Sequence, residues 1–272
     1  MTFRAACVQL RSSDDVAENI RDASSLIREA HARGAQFIAT PENTTLMAPD
    51  GGAKLASSFD EAHDPALPVF SGLAKELGVH LLIGSLAIKV SDTKTANRSF
   101  LFAPDGTVAA RYSKIHLFDV QLANGESYRE SNTVAGGDAA VVADTALGNV
   151  GMTICYDLRF PQLYRALAHK GAFLFTVPSA FTVPTGQAHW HVLLRARAIE
   201  NGAFVIAPAQ GGLHANGRKT YGHSLIVAPW GEVLAEGGTD PGVIVADIDP
   251  ALSIQARQRI PNLNHDRNFT GP

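Results

Sequence analysis

The sequence predicts an α/β fold, and three features of the chain support this prediction. Short apolar stretches of strand type alternate with longer amphipathic stretches of helix type along most of the 272 residues. Glycine and proline residues separate these stretches. Because helices that lie between buried strands favour parallel pairing, we expect a largely parallel arrangement to which hairpins add antiparallel strands. With 46% hydrophobic residues and no low-complexity linker, residues 1–272 are expected to form a single domain.

The first half of the chain has clear start and stop signals. Apolar residues recur at helical spacing across 15–33, where Asp15 and Glu18 resemble a capping pair and Gly34 supplies a left-handed stop. A second helix ends in the same way at Gly78. The turn Pro104-Asp105-Gly106 predicts a hairpin. The predicted elements are strands at 2–10, 36–40 and 79–84, helices at 15–33 and 69–77, and hairpin strands at 98–103 and 107–112.

The second half repeats this alternation. One helix begins at Pro161 and stops at Gly171, and Gly202 follows the next helix. The polar segments 92–97 and 118–138 are predicted as loops, and the second is long enough to suggest a functional role. The predicted elements are strands at 149–155, 172–177 and 203–207, helices at 161–170, 187–200 and 250–260, hairpin strands at 224–228 and 232–236, and a final strand at 243–248 that ends the sheet.

Three chemically reactive side chains follow or end predicted strands. Glu42 follows the strand at 36–40, Cys155 ends the strand at 149–155, and Lys114 follows the hairpin strand that ends at Tyr112. Ligands of open α/β sheets bind outside the carboxyl ends of the strands. We therefore expect a thiol, a carboxylate and an amine to meet at one edge of the sheet.

This set of groups predicts thiol-dependent hydrolysis of a carbon–nitrogen bond. A thiol is largely protonated near neutral pH, so Cys155 needs a base, and Glu42 is the candidate. Lys114 and the backbone N–H of Tyr156 are candidate donors to the oxyanion that forms when sulfur attacks a carbonyl carbon. Water would then hydrolyse the acyl thioester. The mechanism requires no metal ion and no organic cofactor.

The motifs around these residues resemble those of the nitrilase superfamily of carbon–nitrogen hydrolases. Pro41-Glu42 is similar to its base motif, the segment 112–118 to its lysine motif, and the segment 151–157 to its nucleophile motif. The resemblance implies a four-layer αββα sandwich and assembly into a homodimer or higher homo-oligomer through an outer helical layer, with the tail at about 250–272 a candidate for that interface. It also implies a supporting catalytic role for Glu130.

The resemblance further narrows the expected reaction. The segment 155–161 is similar to the amidase branches, and it lacks the Trp-Glu pair that usually follows the cysteine of true nitrilases. Segments between 178 and 223 are most similar to the deaminated-glutathione amidase branch, although Gly211 and Leu213 depart from its pattern. We therefore expect a primary amide of a small carboxylate-bearing metabolite to be hydrolysed to acid and ammonia, with deaminated glutathione as the first candidate substrate. An ω-amidase acting on 2-oxoglutaramate or 2-oxosuccinamate is the alternative, ahead of a nitrilase.

Several residues have more than one interpretation. Arg159 either has a structural role, in which it pairs with Asp157 or holds the turn after the nucleophile, or binds a substrate carboxylate as a bidentate donor. Phe181 and Thr182 are candidates for the pocket lining and substrate binding. Arg195 and Arg197 lie on an apolar helix and are interpreted as structural or interface residues. Cys7, in the middle of a strand, is interpreted as a core residue.

Composition argues against other functional classes. The net charge is −3 and no long basic stretch occurs, so a nucleic-acid partner is not expected. No apolar run reaches about 18 residues and no signal peptide is recognised, while two cysteines suit a reducing, cytoplasmic setting. His189 and His191 lie two positions apart on a predicted helix, which is the wrong spacing for a metal pair. The remaining alternative is an inactive binding or scaffold protein that has kept the fold.

Overall fold

The computed structural model describes residues 1–122, 125 and 127–271. The helices are α1 (Val16–Ala32), α2 (Gly51–Ala56), α3 (Ala66–Leu77), α4 (Pro161–His169), α5 (Val183–Asn201) and α6 (Pro250–Arg259). The strands are β1 (Phe3–Gln9), β2 (Phe37–Ala39), β3 (His80–Lys89), β4 (Thr95–Phe102), β5 (Val108–Ser113), β6 (Asp119–Gln121), β7 (Ser127–Arg129), β8 (Val134–Ala135), β9 (Val141–Ala143), β10 (Val150–Met152), β11 (Leu174–Thr176), β12 (Phe204–Ala207), β13 (Gly211–Leu213), β14 (Lys219–Tyr221), β15 (Leu225–Val227), β16 (Val233–Glu236) and β17 (Gly242–Ile248).

Two larger sheets form the centre of the molecule. The first has the order β17-β1-β2-β3-β4-β5, with β8 beside β4, and the second has the order β16-β15-β12-β11-β10-β9. Within them, β1, β2 and β3 pair in parallel, as do β10, β11 and β12. The parallel pairs predicted for strands separated by helices are therefore confirmed, and the hairpins add the antiparallel strands.

The alternation of side chains along β1 defines the layers. Ala5 and Cys7 pack in the core between the two sheets, whereas Ala6 and Val8 pack in a second core. That second core contains apolar residues of α1 and α3, while residues of α4 and α5 cover the far side of the second sheet. Since successive strand residues face opposite sides, the order of layers is helix, sheet, sheet, helix. The expected αββα sandwich is confirmed.

Most element boundaries agree with the sequence prediction, and the caps explain them. The side chain of Asp15 accepts a hydrogen bond from the N–H of Glu18 at the start of α1. Gly78 ends α3 with a φ of 64°, a conformation that glycine adopts without a steric penalty. Helices α3 and α5 begin three and four residues before their predicted starts, at Ala66 and Val183.

Other parts of the prediction were wrong. The segment 92–97 is only partly a loop, because β4 begins at Thr95. The segment 118–138 carries the β6–β7 hairpin and β8, while positions 123, 124 and 126 lie outside the described residues. Strand β17 does lie at the edge of a sheet, as predicted, but that sheet is the first one, where it pairs antiparallel with β1 and places Ile248 opposite Phe3. Helix α2 and the β13–β14 hairpin were not predicted, since both are too short for a periodic pattern.

Among the described residues, no helix combines the length and the apolar character that crossing a membrane requires.

Candidate active site

Cys155 lies at a strained turn three residues after β10, which ends at Met152 and is shorter than the strand predicted at 149–155. Its φ is 48°, a left-handed value that is uncommon for a residue with a Cβ atom. The backbone N–H of Cys155 donates to the carbonyl of Pro178 at 3.0 Å, and a 3₁₀ turn runs from Cys155 to Arg159. The turn directs a thiol that is only 7% exposed into a cavity. Burial, and secondly the charge of Glu42, raise the pKa of this thiol, so it is protonated at neutral pH.

Glu42 reaches the same cavity from the first sheet. Gly84 allows this, because a Cβ atom there would lie 2.0 Å from the carbonyl oxygen of Thr40 and 2.5 Å from that of Pro41. The Oε1 atom of Glu42 accepts hydrogen bonds from Lys114 at 2.8 Å and Asn97 at 2.9 Å. Its Oε2 atom accepts one from the backbone N–H of Ala180 at 3.0 Å, and the carboxylate lines the cavity together with the Cys155 thiol.

Lys114 is a buried cation held between two carboxylates. It is 2% exposed, and its Nζ atom lies 2.8 Å from Glu42 Oε1 and 2.9 Å from Glu130 Oε2. Burial opposes the charge of Lys114, but Glu130 and Glu42 outweigh it and raise the pKa of the amine well above its ordinary value. In the same way, burial acts to raise the pKa of Glu42, but Lys114 lowers it below its ordinary value. The pair is therefore ionised across the neutral range.

Asn97 joins the two glutamates, and the sequence analysis did not identify it. Its Nδ2 atom donates to Glu42 Oε1 at 2.9 Å and to Glu130 Oε1 at 3.2 Å. Glu130 also accepts from the backbone N–H of Phe118 at 2.7 Å. We call Glu42, Asn97, Lys114, Glu130 and Cys155 the cavity floor. Asn97 was missed because it lies on β4, in a segment predicted as a loop, and has no motif of its own.

The side chain of Asp157 links the turn at Cys155 to the residues on either side of Lys114. It is fully buried and accepts hydrogen bonds from the N–H of Ile154 at 2.9 Å and the hydroxyl of Tyr112 at 2.7 Å. The N–H of His116 adds a contact at 3.1 Å, and the His116 ring another at 2.7 Å. Tyr112 and His116 flank Lys114 in the chain, so one carboxylate fixes Lys114 relative to Cys155 across the two sheets. Asp157 makes these contacts and Arg159 does not pair with it, so the pairing interpretation of Arg159 was wrong.

The floor lies in a cavity of about 990 Å³. Arg159 lies over the rings of Tyr156 and Phe181, at 5.8 and 5.6 Å from the ring centroids, and its guanidinium contacts Nδ1 of His189 at 3.3 Å. Phe181 and Thr182 also line the cavity, as the sequence predicts for pocket residues. Tyr156 lines it as well, and its N–H belongs to the first turn of the 3₁₀ segment, where the turn's own hydrogen bonds leave donors unused.

The sequence analysis missed four further cations of the cavity lining, of which Arg129 and Lys219 are exposed and Lys54 and Arg218 are half-buried. Lys54 on α2 donates to Oδ1 of Asn43 at 2.9 Å, and burial lowers the pKa of its amine. Arg218 donates to the carbonyl of Ala180 at 2.8 Å and lies 5.4 Å from the ring centroid of Tyr128, while its buried Nε atom has no hydrogen-bond partner among the described residues. We call Lys54, Arg159 and Arg218 the cationic wall. Neither Lys54 nor Arg218 stands in a recognisable motif.

The other cysteine, two arginines of α5 and two histidines of α5 lie outside the cavity lining. Cys7 is fully buried in the core between the sheets, which confirms its structural interpretation. Arg197 donates to the carbonyl of Leu158 and Arg195 to that of Gly231, so both have structural contacts. His189 faces Arg159 whereas His191 faces Glu236, so the two histidines do point apart.

Comparison with known proteins gives consistent results. The profile of the family described as Carbon-nitrogen hydrolase matches residues 4–258. Deaminated glutathione amidase of Synechocystis sp. is 41% identical over 268 residues, 97% of both chains. Omega-amidase NIT2 of Homo sapiens is 36% identical over 267 residues, covering 98% of this chain and 96% of the relative.

Solved structures show the same fold. The NitFhit protein of C. elegans superposes with a TM-score of 0.91 at 33% identity; the match covers 98% of this chain and 65% of that longer one. An amidase from Nesterenkonia sp. AN1, a glutamate-to-glutamine mutant with acrylamide added at its active site cysteine, has a TM-score of 0.80 at 27% identity, covering 97% of this chain and 99% of the other. The chain belongs to the carbon–nitrogen hydrolases of the nitrilase superfamily and is a cysteine-dependent amidase that acts on bonds other than peptide bonds.

Proposed function

We propose that Cys155 is the nucleophile, Glu42 the general base and acid, and Lys114 an oxyanion donor, with Glu130 in support. The observation that carries this assignment is that the Cys155 thiol and the Glu42 carboxylate line the same cavity and lie close enough for the charge of Glu42 to raise the pKa of the thiol. A nucleophile in contact with a base that other groups hold in place is the arrangement that covalent catalysis requires. Cys7, the only other cysteine, lies in the core away from the cavity lining.

The proton of the thiol moves during attack on the substrate. The Cys155 pKa is raised and the Glu42 pKa is lowered, so proton transfer is unfavourable before the substrate is bound. When sulfur bonds to the amide carbon, the thiol proton passes to Glu42 and the carbonyl electrons move to oxygen. Glu42 then gives that proton to the departing nitrogen, and a thioester remains. Water attacks the thioester, Glu42 takes a water proton, and the acid and the free thiol are released.

Lys114 and the N–H of Tyr156 stabilise the negative oxygen in this scheme. Lys114 donates to both glutamates, so its amine is fixed in position with little freedom to reorganise. A fixed donor in a water-poor site lowers the barrier because its orientation costs nothing at the moment of reaction. Glu130 and Asn97 hold Lys114 and Glu42 in register, so we assign them positioning roles.

Mass spectrometry tests the nucleophile. Incubation with a slowly hydrolysed amide, followed by acid quench, should place the acyl group on the peptide that contains Cys155. The variant Cys155→Ala should form no adduct and should lose at least about 10⁴-fold in kcat. Cys7→Ala is the matched control, and it should keep both adduct and turnover. An adduct on Cys7, or turnover by Cys155→Ala, contradicts the assignment.

The substrate we propose carries at least one carboxylate. Six cationic and three anionic side chains line the cavity, although the whole chain has a net charge of −3. Two of the three anions, Glu42 and Glu130, are already paired with Lys114. The cationic wall is therefore free to bind an anionic group of the substrate, and the unpartnered Nε of Arg218 is a donor of the kind a carboxylate accepts from.

Deaminated glutathione is our first candidate and an ω-amide such as 2-oxoglutaramate the second. A cavity of about 990 Å³ is at the upper end of small-molecule sites and suits a substrate of tripeptide size. The two candidates differ in leaving group. The amides of a glutathione derivative are secondary, so hydrolysis releases an amine, and the primary amide with ammonia as product applies to the ω-amides alone.

Comparing kcat/KM for deaminated glutathione, 2-oxoglutaramate and a simple aliphatic nitrile decides between these substrates. We expect deaminated glutathione to be preferred, with an amine and no ammonia as the nitrogen product. Preference for 2-oxoglutaramate with stoichiometric ammonia would support the ω-amidase, and preference for the nitrile would refute both.

We also propose that residues 1–272 act as a single domain that forms a homodimer in the cytoplasm. Support for the dimer comes from apolar side chains left exposed on α5, α6 and the turn before β16, namely Val192, Ile199, Trp230 and Ile254. The tail at about 250–272 contributes to this surface through α6; Pro272 lies outside the described residues. Light scattering should give twice the chain mass, and Ile254→Glu should shift it towards the monomer.

A further inference from the structure

A second group of ionisable side chains lies outside the cavity lining. His191 on α5, His223 between β14 and β15, and Glu236 at the end of β16 come together on one surface. Nε2 of His191 and Nδ1 of His223 each lie 2.9 Å from Oε1 of Glu236. Their side chains are 33%, 28% and 39% exposed, so an ion from solvent can reach them. These residues are 13 to 45 positions apart in the chain, which is why spacing alone did not reveal them.

The backbone holds this cluster in place. His223 has a φ of 55°, a left-handed conformation that is strained for a residue with a Cβ atom. Its N–H donates to the carbonyl of Gly238 at 2.8 Å, and its carbonyl accepts from Nε1 of Trp190 at 2.8 Å. The ring of Tyr221 stacks on the imidazole of His223 with centroids 4.3 Å apart. The imidazole is therefore aimed at Glu236 before any ligand arrives.

The spacing of the three ligand atoms suits a divalent ion of the first transition series. All three atoms lie within 4.8 Å of one another. A tetrahedral zinc ion with bonds of about 2.0–2.1 Å separates its ligand atoms by roughly 3.3–3.4 Å, so small side-chain rotations suffice. Two imidazoles and one carboxylate favour zinc, cobalt or nickel over magnesium or calcium, which prefer oxygen ligands.

We propose that His191, His223 and Glu236 form a site for Zn²⁺ or a similar ion, with water as the fourth ligand. The site contributes no residue to the cavity lining, so its role is structural and separate from amide hydrolysis. A bound ion would cross-link α5, the turn before β15 and β16. Because the unfolded chain lacks this arrangement, binding would stabilise the folded protein.

Metal titration of the untagged, chelator-treated protein tests the proposal. Above neutral pH, calorimetry with Zn²⁺ should give one site per chain, and Zn²⁺ should raise the melting temperature. The variant His191→Gln should weaken binding at least about tenfold, since even partners of metal ligands contribute that much. His223→Asn should do the same while tolerating the left-handed backbone. His63→Gln is the control, because His63 also faces a carboxylate, that of Asp60, and should leave affinity unchanged.

Co²⁺ serves as a spectroscopic probe of the ligands. Binding at the proposed site should give visible d–d bands without a thiolate charge-transfer band. A thiolate band would place the ion on a cysteine and overturn the proposal. Failure to saturate at one ion per chain, or equal affinity in His191→Gln, would also overturn it. All these outcomes are independent of the substrate and of the roles of Cys155 and Glu42.

Discussion

The cavity floor and the cationic wall differ in how their side chains are held. Glu42 and Lys114 of the floor are buried, Glu130 is 15% exposed, and each has several partners; the Glu42 carboxylate alone accepts from Lys114, Asn97 and Ala180. The wall is half-buried and carries spare donors, and Arg159 has only a histidine and two rings around it. This difference indicates that the floor holds one fixed reaction geometry, whereas the donors of the wall are available to bind substrate. Changes in the floor should therefore alter kcat and stability, and changes in the wall should alter KM.

After loss of the nucleophile, the largest expected effect on rate follows from removing the base. Glu42→Gln keeps the size of the side chain but cannot take the thiol proton, so kcat should fall by about 10²–10⁴-fold while KM changes little. Steady-state kinetics measures this. Glu61→Gln is the matched control, because Glu61 pairs with Arg98 and Arg111 outside the cavity lining and should leave kcat unchanged. A Glu42→Gln enzyme with wild-type kcat would contradict the expectation that changes in the floor alter kcat.

Loss of the buried cation should have the largest effect on stability. Lys114→Met leaves Glu42 and Glu130 without their counter-charge, and breaking a buried ion pair costs about 3–5 kcal/mol. Urea unfolding measures the change. Lys75→Met, at an exposed position on α3, should change stability by less than about 0.5 kcal/mol. Equal losses for the two variants would mean that the floor is not held by this pair.

The same ion pair sets the pH range of stability. The folded-state pKa of Glu42 is lowered, so its contribution is present above the unfolded value of about 4.3 and is lost as pH falls below it. The folded-state pKa of Lys114 is raised, so its contribution is present below the unfolded value of about 10.4 and is lost as pH rises above it. Melting temperatures should therefore fall on both sides of this range. In Lys114→Met the alkaline decline should become smaller, and an unchanged decline would contradict the assignment.

Substitutions in the wall should affect binding of anionic substrates. Arg159→Gln and Arg218→Gln each remove a charged hydrogen-bond donor, which corresponds to roughly a tenfold rise in KM for a carboxylate-bearing amide. The kcat should change little. A neutral aliphatic amide is the control substrate, and its KM should be the same in the wild type and the variants. A similar loss for both substrates would show that the wall acts on the chemistry instead of on binding.

A smaller loss of stability than that of Lys114→Met is expected when Asp157, which links the cysteine turn to the residues beside Lys114, loses a hydrogen-bond partner. Tyr112→Phe takes a hydrogen-bond donor away from the fully buried side chain of Asp157 and should cost about 1–3 kcal/mol. Tyr164→Phe is the matched control, since Tyr164 bonds the neutral hydroxyl of Thr153 and should cost about 0.5–1.5 kcal/mol. Denaturant unfolding compares the two. If Asp157 positions Lys114, only Tyr112→Phe should also lower kcat.

The floor could be predicted to a greater extent than the wall, and the reason is physical. Glu42, Lys114 and Cys155 lie within three residues of the carboxyl ends of β2, β5 and β10, and the carboxyl ends of strands are where an α/β sheet binds ligands. Lys54 and Arg218 lie on a short helix and a turn, where no periodic pattern reveals orientation. Asn97 lies on a strand, but its role depends on two glutamates from other segments.

The sequence by itself determined the alternation of strands and helices, the caps of α1 and α3, and the order of the three reactive side chains, because these depend on neighbours within a few positions. The tertiary structure decided how the strands divide between two sheets and placed β17 beside β1. It also decided which distant residues meet, as Asp157 meets Tyr112 and His191 meets Glu236. Such contacts arise from the packing of whole layers, and that packing is set by the buried surface of all strands together.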